Sequence, residues 1–519
     1  MTTRAVASSS DLLLASYDAV PYGGGAIAGT RPDCLAATAK LRGLEAPDVH
    51  RCRVLDLGCA TGGNLLAMAL AFPDSQFFGV DLSPRQIAAA TSTAREIGVD
   101  NVHFEAMSIA DVGQSFGTFD YIVSHGVYSW VPPEIQRALL AVCAANLAPQ
   151  GIAYISYNTY PGWHVRGLVR DMILFHDRLD LTPHERVQRA RSFVDFLASS
   201  APKNDSVYTS LLREEAALLQ SANDSYFMHE ELEAENHPVY FTEFMRRADV
   251  AGLQYVAESA PTLTDVQMPN DVKEALRSWS EDVVGYEQYL DFVRNRTFRK
   301  TLLCHVGRAV AREPMADALP SLCLRARCAA DPNAADAKPP DVEVFRTHEG
   351  VAATMSHAVV RAALHVLIDA SPAAVPFPVV LERTRARLET TGVTVAEALL
   401  ADAMLRCALV RMLDLTTLPE CCATMLSDRP TASALARFEA RTEPLVTSLF
   451  HIEVKLAEFD RYVLRLLDGT RDRDTVVNEV LRAAERGDIV LGESRPRSAV
   501  GEAVDHALSQ FRVAGLLVA

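Results

Sequence analysis

Val54-Leu55-Asp56-Leu57-Gly58-Cys59-Ala60-Thr61-Gly62-Gly63-Asn64 decides the fold. A short apolar run, Arg53–Gly58, enters a glycine-rich turn and leaves it as a helix over Asn64–Ala71. Glycine lacks a Cβ, so such a turn lets a ligand approach the backbone at the carboxyl end of a strand. The next apolar run, Gln76–Val80, ends in Asp81, 23 residues after Gly58. An acid at about that separation meets a ribose in nucleotide-type sites. Its carboxylate accepts hydrogen bonds from both ribose hydroxyls, each worth about 1.5–3 kcal/mol.

The rhythm continues outward from this turn. Ser83 and Pro84 cap a helix running to about Ile97. Strands are predicted at Val102–Ala106, Phe119–Ser124 and Gly151–Tyr157, with a helix at Pro133–Leu147 between the last two. This β-α alternation predicts an α/β fold, a parallel sheet with helices on both faces. From about Val165 to Glu235 leucine, alanine, arginine and glutamate recur at helical spacing, which predicts a helical insertion. Strand candidates Gly252–Glu258 and Thr301–Val306 would complete the sheet beyond it. The expected organisation is a discontinuous core of residues 1–165 and 237–310, an insertion at 166–236, a linker at 311–341 and a mostly helical C-terminal domain at 342–519. The Asp291–Arg296 run reads as a solvated helix face with internal ion pairs.

Dinucleotide binding is the main competing reading. Its Gly-x-Gly-x-x-Gly spacing is not met by Gly58-x-Ala60-x-Gly62-Gly63, and Asp56 stands inside the strand before the turn. The stretch resembles the Asp/Glu-x-Gly-x-Gly-x-Gly element of class I S-adenosylmethionine-dependent methyltransferases, with Ala60 at the middle glycine. In that family the turn approaches the amino-acid part of the cofactor. Met107–Asp111 falls where the family places adenine contacts, and Phe119–Gly126 where cofactor and acceptor meet.

Further stretches narrow the resemblance: Ser16–Tyr22, His125–Pro133, Tyr157–Trp163, Asn236–Phe241 and Asp291–Arg296. Together they resemble bacterial methyltransferases with a methyltransferase regulatory domain, a group that includes rickettsial protein-lysine methyltransferases acting on outer-membrane proteins. Leu466–Arg473 resembles the winged-helix-like C-terminal domain of the same proteins. The resemblance implies a class I (Rossmann-like) methyltransferase domain with a helical insertion, plus a C-terminal winged-helix-like domain. It implies S-adenosyl-L-methionine as cofactor and N-methylation of lysine side chains in a protein substrate. A small-molecule methyltransferase, and a cofactor-binding regulatory or scaffold protein without transfer activity, remain as alternatives.

On this reading Tyr22, Asp56, Gly58, Cys59, Ala60, Gly62, Asn64, Asp81, Leu82, Ser108, Ile109, Ser124 and His125 contact the cofactor. Tyr128, Trp130, Asn158, Tyr160 and Trp163 bind the acceptor, and Tyr128, Asn158 and His125 are the catalytic candidates. They follow the fourth and fifth strands, and ligands bind outside the carboxyl ends of parallel strands. The alternatives are structural: Trp130 and Trp163 as loop packing, His125 as a strand-end residue, Tyr17 and Tyr22 as anchors of the N-terminal arm. One departure is the glycine-rich Gly23–Pro32 segment, where relatives carry larger polar and aromatic residues before a Thr-His-Pro.

Composition bounds the rest. Of 519 residues, 66 are acidic and 50 basic, a formal net charge of -16, which argues against a nucleic-acid partner. The ten cysteines are scattered with no Cys-x-x-Cys pair, so no metal or disulfide framework is expected and reduced thiols in the cytoplasm fit. No apolar run is long enough for a signal peptide or membrane span. A homodimer is carried as a further expectation.

Overall fold

The computed structural model describes residues 18–20, 24–202, 206–259, 268–332, 342–347, 349–419, 422–490 and 496–518. Seven strands build the central sheet: β1 (Arg53–Leu57), β2 (Gln76–Asp81), β3 (Val102–Ala106), β4 (Phe119–Ser124), β5 (Leu147–Asn158), β6 (Leu253–Glu258) and β7 (Phe298–His305). Their order is β3-β2-β1-β4-β5-β7-β6. Strands β1 to β5 are parallel, and β7 runs antiparallel between β5 and β6. The chain reverses its direction of progress between β1 and β4, which opens a crevice at their carboxyl ends.

Two apolar clusters cover the two faces of the sheet, one around Leu55, Ile122, Ile155 and Leu303, the other around Val54, Tyr121, Tyr154 and Leu302. Successive strand residues point to opposite faces, so near-continuous apolar strands are what a doubly covered sheet requires. Helix α1 (Pro32–Leu41) precedes β1; α2 (Gly63–Ala71) and α3 (Pro84–Ile97) follow β1 and β2. Helix α3 starts where it does because Ser83 Oγ accepts the Gln86 amide and Pro84 needs no amide partner, and it stops at Gly98 in the left-handed region. Helix α4 (Pro133–Asn146) leads into β5.

Four helices form the insertion: α5 (Gly162–His176), α6 (Pro183–Ser200), α7 (Val207–Ser221) and α8 (Asp224–Glu231). They share a core of their own around Val169, Ile173, Val187, Leu212 and Phe227. After α9 (Phe241–Val250), β6 and β7 close the sheet, with α10 (Asn270–Trp279) and α11 (Val283–Arg294) between them.

The structure differs from expectation at three places. Asp291 on α11 is not on a solvated face: both it and Arg299 are 0% exposed. Arg299 Nε and Nη2 donate to Asp291 Oδ2 and Oδ1 at 2.8 and 2.9 Å, and Nη1 donates to Glu258 Oε1 at 2.8 Å. Strand β7 brings the guanidinium beneath the helix, so the carboxylate is buried with its counter-charge. Second, the stretch 311–341, expected as a linker, contains β8 (Cys323–Ala326) and β9 (Cys328–Ala330). Third, the C-terminal region divides into two cores. One gathers Leu324, Leu364, Phe377, Leu400 and Met404; the other gathers Val463, Val477, Val504 and Phe511. Helical periodicity locates such helices without telling which cluster each one joins. Among the described residues, no helix is long and apolar enough to cross a membrane.

Candidate active site

The turn after β1 is held by its own backbone and by Asp81. Gly58 N and Cys59 N donate to Val80 O at 2.8 and 3.0 Å, which ties the turn to the end of β2. Gly58 has φ +85°, and a Cβ there would come within 2.4 Å of Val127 Cγ2. Gly62 has φ +76°, and its Cβ would reach 2.6 Å from Phe104 Cζ. Both positions therefore require glycine. Ala60 takes φ 49°, the left-handed conformation in which the resembled motif carries a glycine.

Asp81 sits at the carboxyl end of β2 with one amide on each oxygen, Ala60 N on Oδ2 and Ser83 N on Oδ1, both at 2.9 Å. Burial raises its pKa above the usual carboxylate range, and the two amides pull it back. Each oxygen has a second lone pair, which leaves room for two hydroxyl donors. Below the turn Asp56 is buried, and its Oδ2 accepts from Asn64 Nδ2 at 3.2 Å.

One cavity of about 390 Å³ joins these features to the residues expected to meet the acceptor. Of the sequence candidates, Gly58, Ala60, Asp81, Leu82, Ser108, Ile109, His125, Trp130, Asn158 and Trp163 line it. The other candidates lie elsewhere. Asp56, Cys59 and Ser124 are buried beneath the turn, where Ser124 Oγ donates to Leu57 O. Gly62 shapes the turn without lining the cavity. Asn64 is turned away, its Oδ1 accepting from Ile27 N at 3.1 Å and from His451 Nε2 at 2.7 Å. Tyr17 and Tyr22 lie outside the described residues.

Tyr128 is the main correction. Its side chain is 0% exposed, packs against Phe244 and Tyr157, and its hydroxyl accepts from Arg247 Nη1 at 3.2 Å. The cause is the 3₁₀ turn Tyr128–Trp130. In that geometry residues three apart eclipse, so Val127 and Trp130 face the cavity together while Tyr128 faces the core. Tyr160 also misses the cavity and stacks on His164 at 4.0 Å.

On the acceptor side, Trp130 meets Trp163 edge to face at 6.1 Å, and the Arg166 guanidinium lies 4.9 Å from the Trp163 ring centre. Asn158 Nδ2 donates to Asn236 Oδ1 at 3.1 Å, which leaves its Oδ1 as an acceptor. His125 Nδ1 lies 2.8 Å from the Tyr154 hydroxyl, and its ring meets Phe298 edge-on at 5.8 Å. Burial, with the Lys300 ammonium behind it, pushes its pKa down to about 3. The ring is therefore neutral at neutral pH and too weak a base to hold a proton.

Sequence reasoning missed the wall supplied by the insertion: Arg166, Tyr226, His229 and Glu230. A usable signal was the polar His229-Glu230-Glu231 end of a helix whose Phe227 and Met228 are buried. The N-terminal arm bridges two walls of the cavity. Asp18 Oδ1 accepts from Ser83 Oγ at 2.5 Å, and Val20 O accepts from His229 Nε2 at 2.7 Å.

The residues fit S-adenosylmethionine. The glycine turn would admit its amino-acid part, Asp81 would offer lone pairs to the ribose, and Ser108 and Ile109 line the wall beyond β3. Three family models match the chain: a methyltransferase domain over residues 54–151, a predicted methyltransferase regulatory domain over 223–305, and a PKMT C-terminal winged helix domain over 428–516. An uncharacterized protein of Rickettsia prowazekii is 33% identical over 489 residues, 92% of this chain and 87% of the relative. A second from the same organism is 42% identical over 233 residues, 45% of this chain and 93% of the relative. The solved structure of PKMT2 from Rickettsia typhi, also solved in complex with AdoHcy, superposes with a TM-score of 0.84 at 29% identity. That match covers 96% of this chain and 100% of PKMT2.

Proposed function

Because the chain belongs to the class I S-adenosylmethionine-dependent methyltransferases that carry a methyltransferase regulatory domain, we propose that it N-methylates lysine side chains of protein substrates. The observation that carries this reading is the continuity of one cavity, from Gly58 and Asp81 at the cofactor end to Asn158, Trp130 and Trp163 at the other. The full-length likeness to PKMT2 supports it.

The cofactor, when bound, supplies an electrophilic methyl group on a sulfonium. The protein's part is alignment and exclusion of water, which supplies up to about 7–11 kcal/mol in favourable cases. The Gly58 turn and Asp81 hold one reactant, and Asn158 Oδ1 accepts a hydrogen bond from the incoming amine. Trp130 and Trp163 give an apolar wall along which a lysine stem lies, with ring faces that favour a cationic head. A free lysine has a pKa of about 10.4 and is protonated at neutral pH. Desolvation against such a wall favours the neutral amine that attacks. His125, neutral and held by Tyr154, closes the cavity without exchanging protons.

A small-metabolite acceptor and a scaffold without activity are the other readings. The scaffold reading requires a blocked acceptor side, and here the cavity extends to both tryptophans. The test is transfer of labelled methyl from S-adenosylmethionine into a fractionated bacterial lysate, with Asp81→Ala as control. Methyllysine in acid hydrolysates of the protein fraction, absent with the variant, is the expected result. Label confined to small molecules would overturn the lysine acceptor and leave the methyltransferase standing.

A further inference from the structure

One carboxylate on the acceptor side has no role in the mechanism above. Glu230, on the last turn of α8, lines the same cavity as Asn158, Trp130 and Trp163. Its neighbours are committed elsewhere. Glu231 Oε1 is 3.1 Å from Arg166 Nη2, and His229 holds the N-terminal arm at Val20. Arg170 Nε reaches only the main-chain oxygen of Glu230, at 3.2 Å. The Glu230 carboxylate makes no hydrogen bond or ion pair with any described residue, and it is half-buried in the cavity wall.

Even partial burial of a carboxylate without a partner is unfavourable, and such groups in a cavity wall are candidates to meet a ligand. Burial pushes this one up to about 7. Arg166 and Arg170 on α5 draw it down, and Glu231 on its own helix raises it. A partner for it is cationic, and a cavity it shares with two tryptophan rings suits a cation on an apolar stem. An anionic acceptor is repelled by it, and a neutral one gains a hydrogen bond without the ion pair.

Resting on the lysine reading, we infer that Glu230 is the docking carboxylate for the acceptor: it receives the ammonium of a lysine whose stem runs along the Trp130–Trp163 pair, and takes its proton. The ammonium N–H bond breaks and its proton moves to a Glu230 oxygen, which leaves the nitrogen lone pair free. That pair forms the N–C bond as the S–C bond breaks, and the sulfur keeps the bonding pair. The product is a methylated ammonium, and Glu230 later returns its proton to water.

The experiment uses full-length wild type and Glu230→Gln, with the protein fraction of a bacterial lysate as acceptor and AdoHcy as the binding probe. Glutamine keeps the shape and removes the charge. AdoHcy affinity within about twofold of wild type is expected, and shows that the variant is folded. Methyllysine formation at neutral pH should fall about 10- to 100-fold, the loss expected for one charge-assisted contact. The deficit should narrow at higher pH, where free lysine supplies its own neutral amine, and Glu230→Asp should recover part of the rate. A variant as active as wild type across the pH range would overturn the docking role. So would a tenfold loss of AdoHcy affinity, which would place Glu230 on the cofactor instead. If wild type labels no protein lysine, it is the lysine reading that fails, which this arm reports separately.

Discussion

Asp56 carries an ionisation that makes the turn's stability depend on pH. Burial pushes its pKa up to about 7, the Asn64 amide pulls it back, and Asp81 adds to the rise. In the unfolded chain an aspartate titrates near pH 3.9. Between about pH 4 and 7 the folded protein therefore holds a proton that the unfolded chain has released, so stability falls as pH rises through that window. Asp56→Asn removes the titration while keeping an acceptor for Asn64. It should flatten the pH dependence of urea unfolding and raise stability at pH 8 by about 1–3 kcal/mol. A variant whose pH profile matched wild type would show that the loss of stability comes from other groups. Asp81 is a separate case, because it lines the cavity. Asp81→Ala should weaken AdoHcy binding in calorimetry by about 10- to 150-fold, the equivalent of one charge-assisted hydrogen bond. Asp81 was legible in the sequence because its distance from Gly58 measures one strand-helix-strand unit. Ala60 was legible as the middle member of the turn, since alanine in the left-handed region costs only about 1–2 kcal/mol. Tyr128 was not legible, because no residue of Val127–Trp130 announces the phase of a 3₁₀ turn.

At the level of elements, β7 and α11 are joined by charge as well as by apolar packing. Arg299 is enclosed by Asp291, Glu258 and Glu287, and its guanidinium lies 3.8 Å from the Phe241 ring centre. Removing the cation leaves Asp291 and Glu258 to Arg296 alone and takes the ion-pair partner from Glu287, all in a largely buried site. Arg299→Met should therefore cost about 3–5 kcal/mol in chemical denaturation, while Arg178→Met, at an exposed pair, should leave the transition nearly unmoved. Equal losses would mean that the cluster is solvated in solution. This cluster was invisible in sequence because α11 and β7 each read as an ordinary charged element, and burial arises only when they meet. The insertion shows the same limit. Its helices follow from periodicity, but the wall formed by Arg166 and Glu230 depends on how α5 and α8 pack around Val169, Ile173 and Phe227.

Across the whole molecule, the cofactor turn is tied to both ends of the chain through one side chain. Asn64 opens α2, and its amide accepts from Ile27 of the N-terminal arm and from His451, 387 residues away. Arg31 Nη1 donates to Leu449 O at 2.8 Å beside it. His451 is buried with φ 60° in the turn between β10 (Leu445–Thr447) and β11 (Glu453–Lys455). Burial lowers its pKa well below the ordinary value, so it meets Asn64 as a neutral donor. No local pattern foretells a contact over that separation, and the winged-helix resemblance alone gives no reason to dock this turn at the cofactor site. The contact makes a reciprocal demand. If docking the C-terminal turn holds Asn64, and through it Asp56 and the arm, then binding at the glycine turn must hold the C-terminal turn in return. Hydrogen exchange reads this directly. Adding AdoHcy to wild type should slow exchange at residues 27–31 and also at 448–453. His451→Ala should abolish the slowing at 448–453, preserve it at 27–31, and weaken AdoHcy binding about fivefold, the low end of typical coupling between sites. Exchange at 448–453 that ignores AdoHcy in wild type would mean that the C-terminal domain rests on the cofactor site without sensing it.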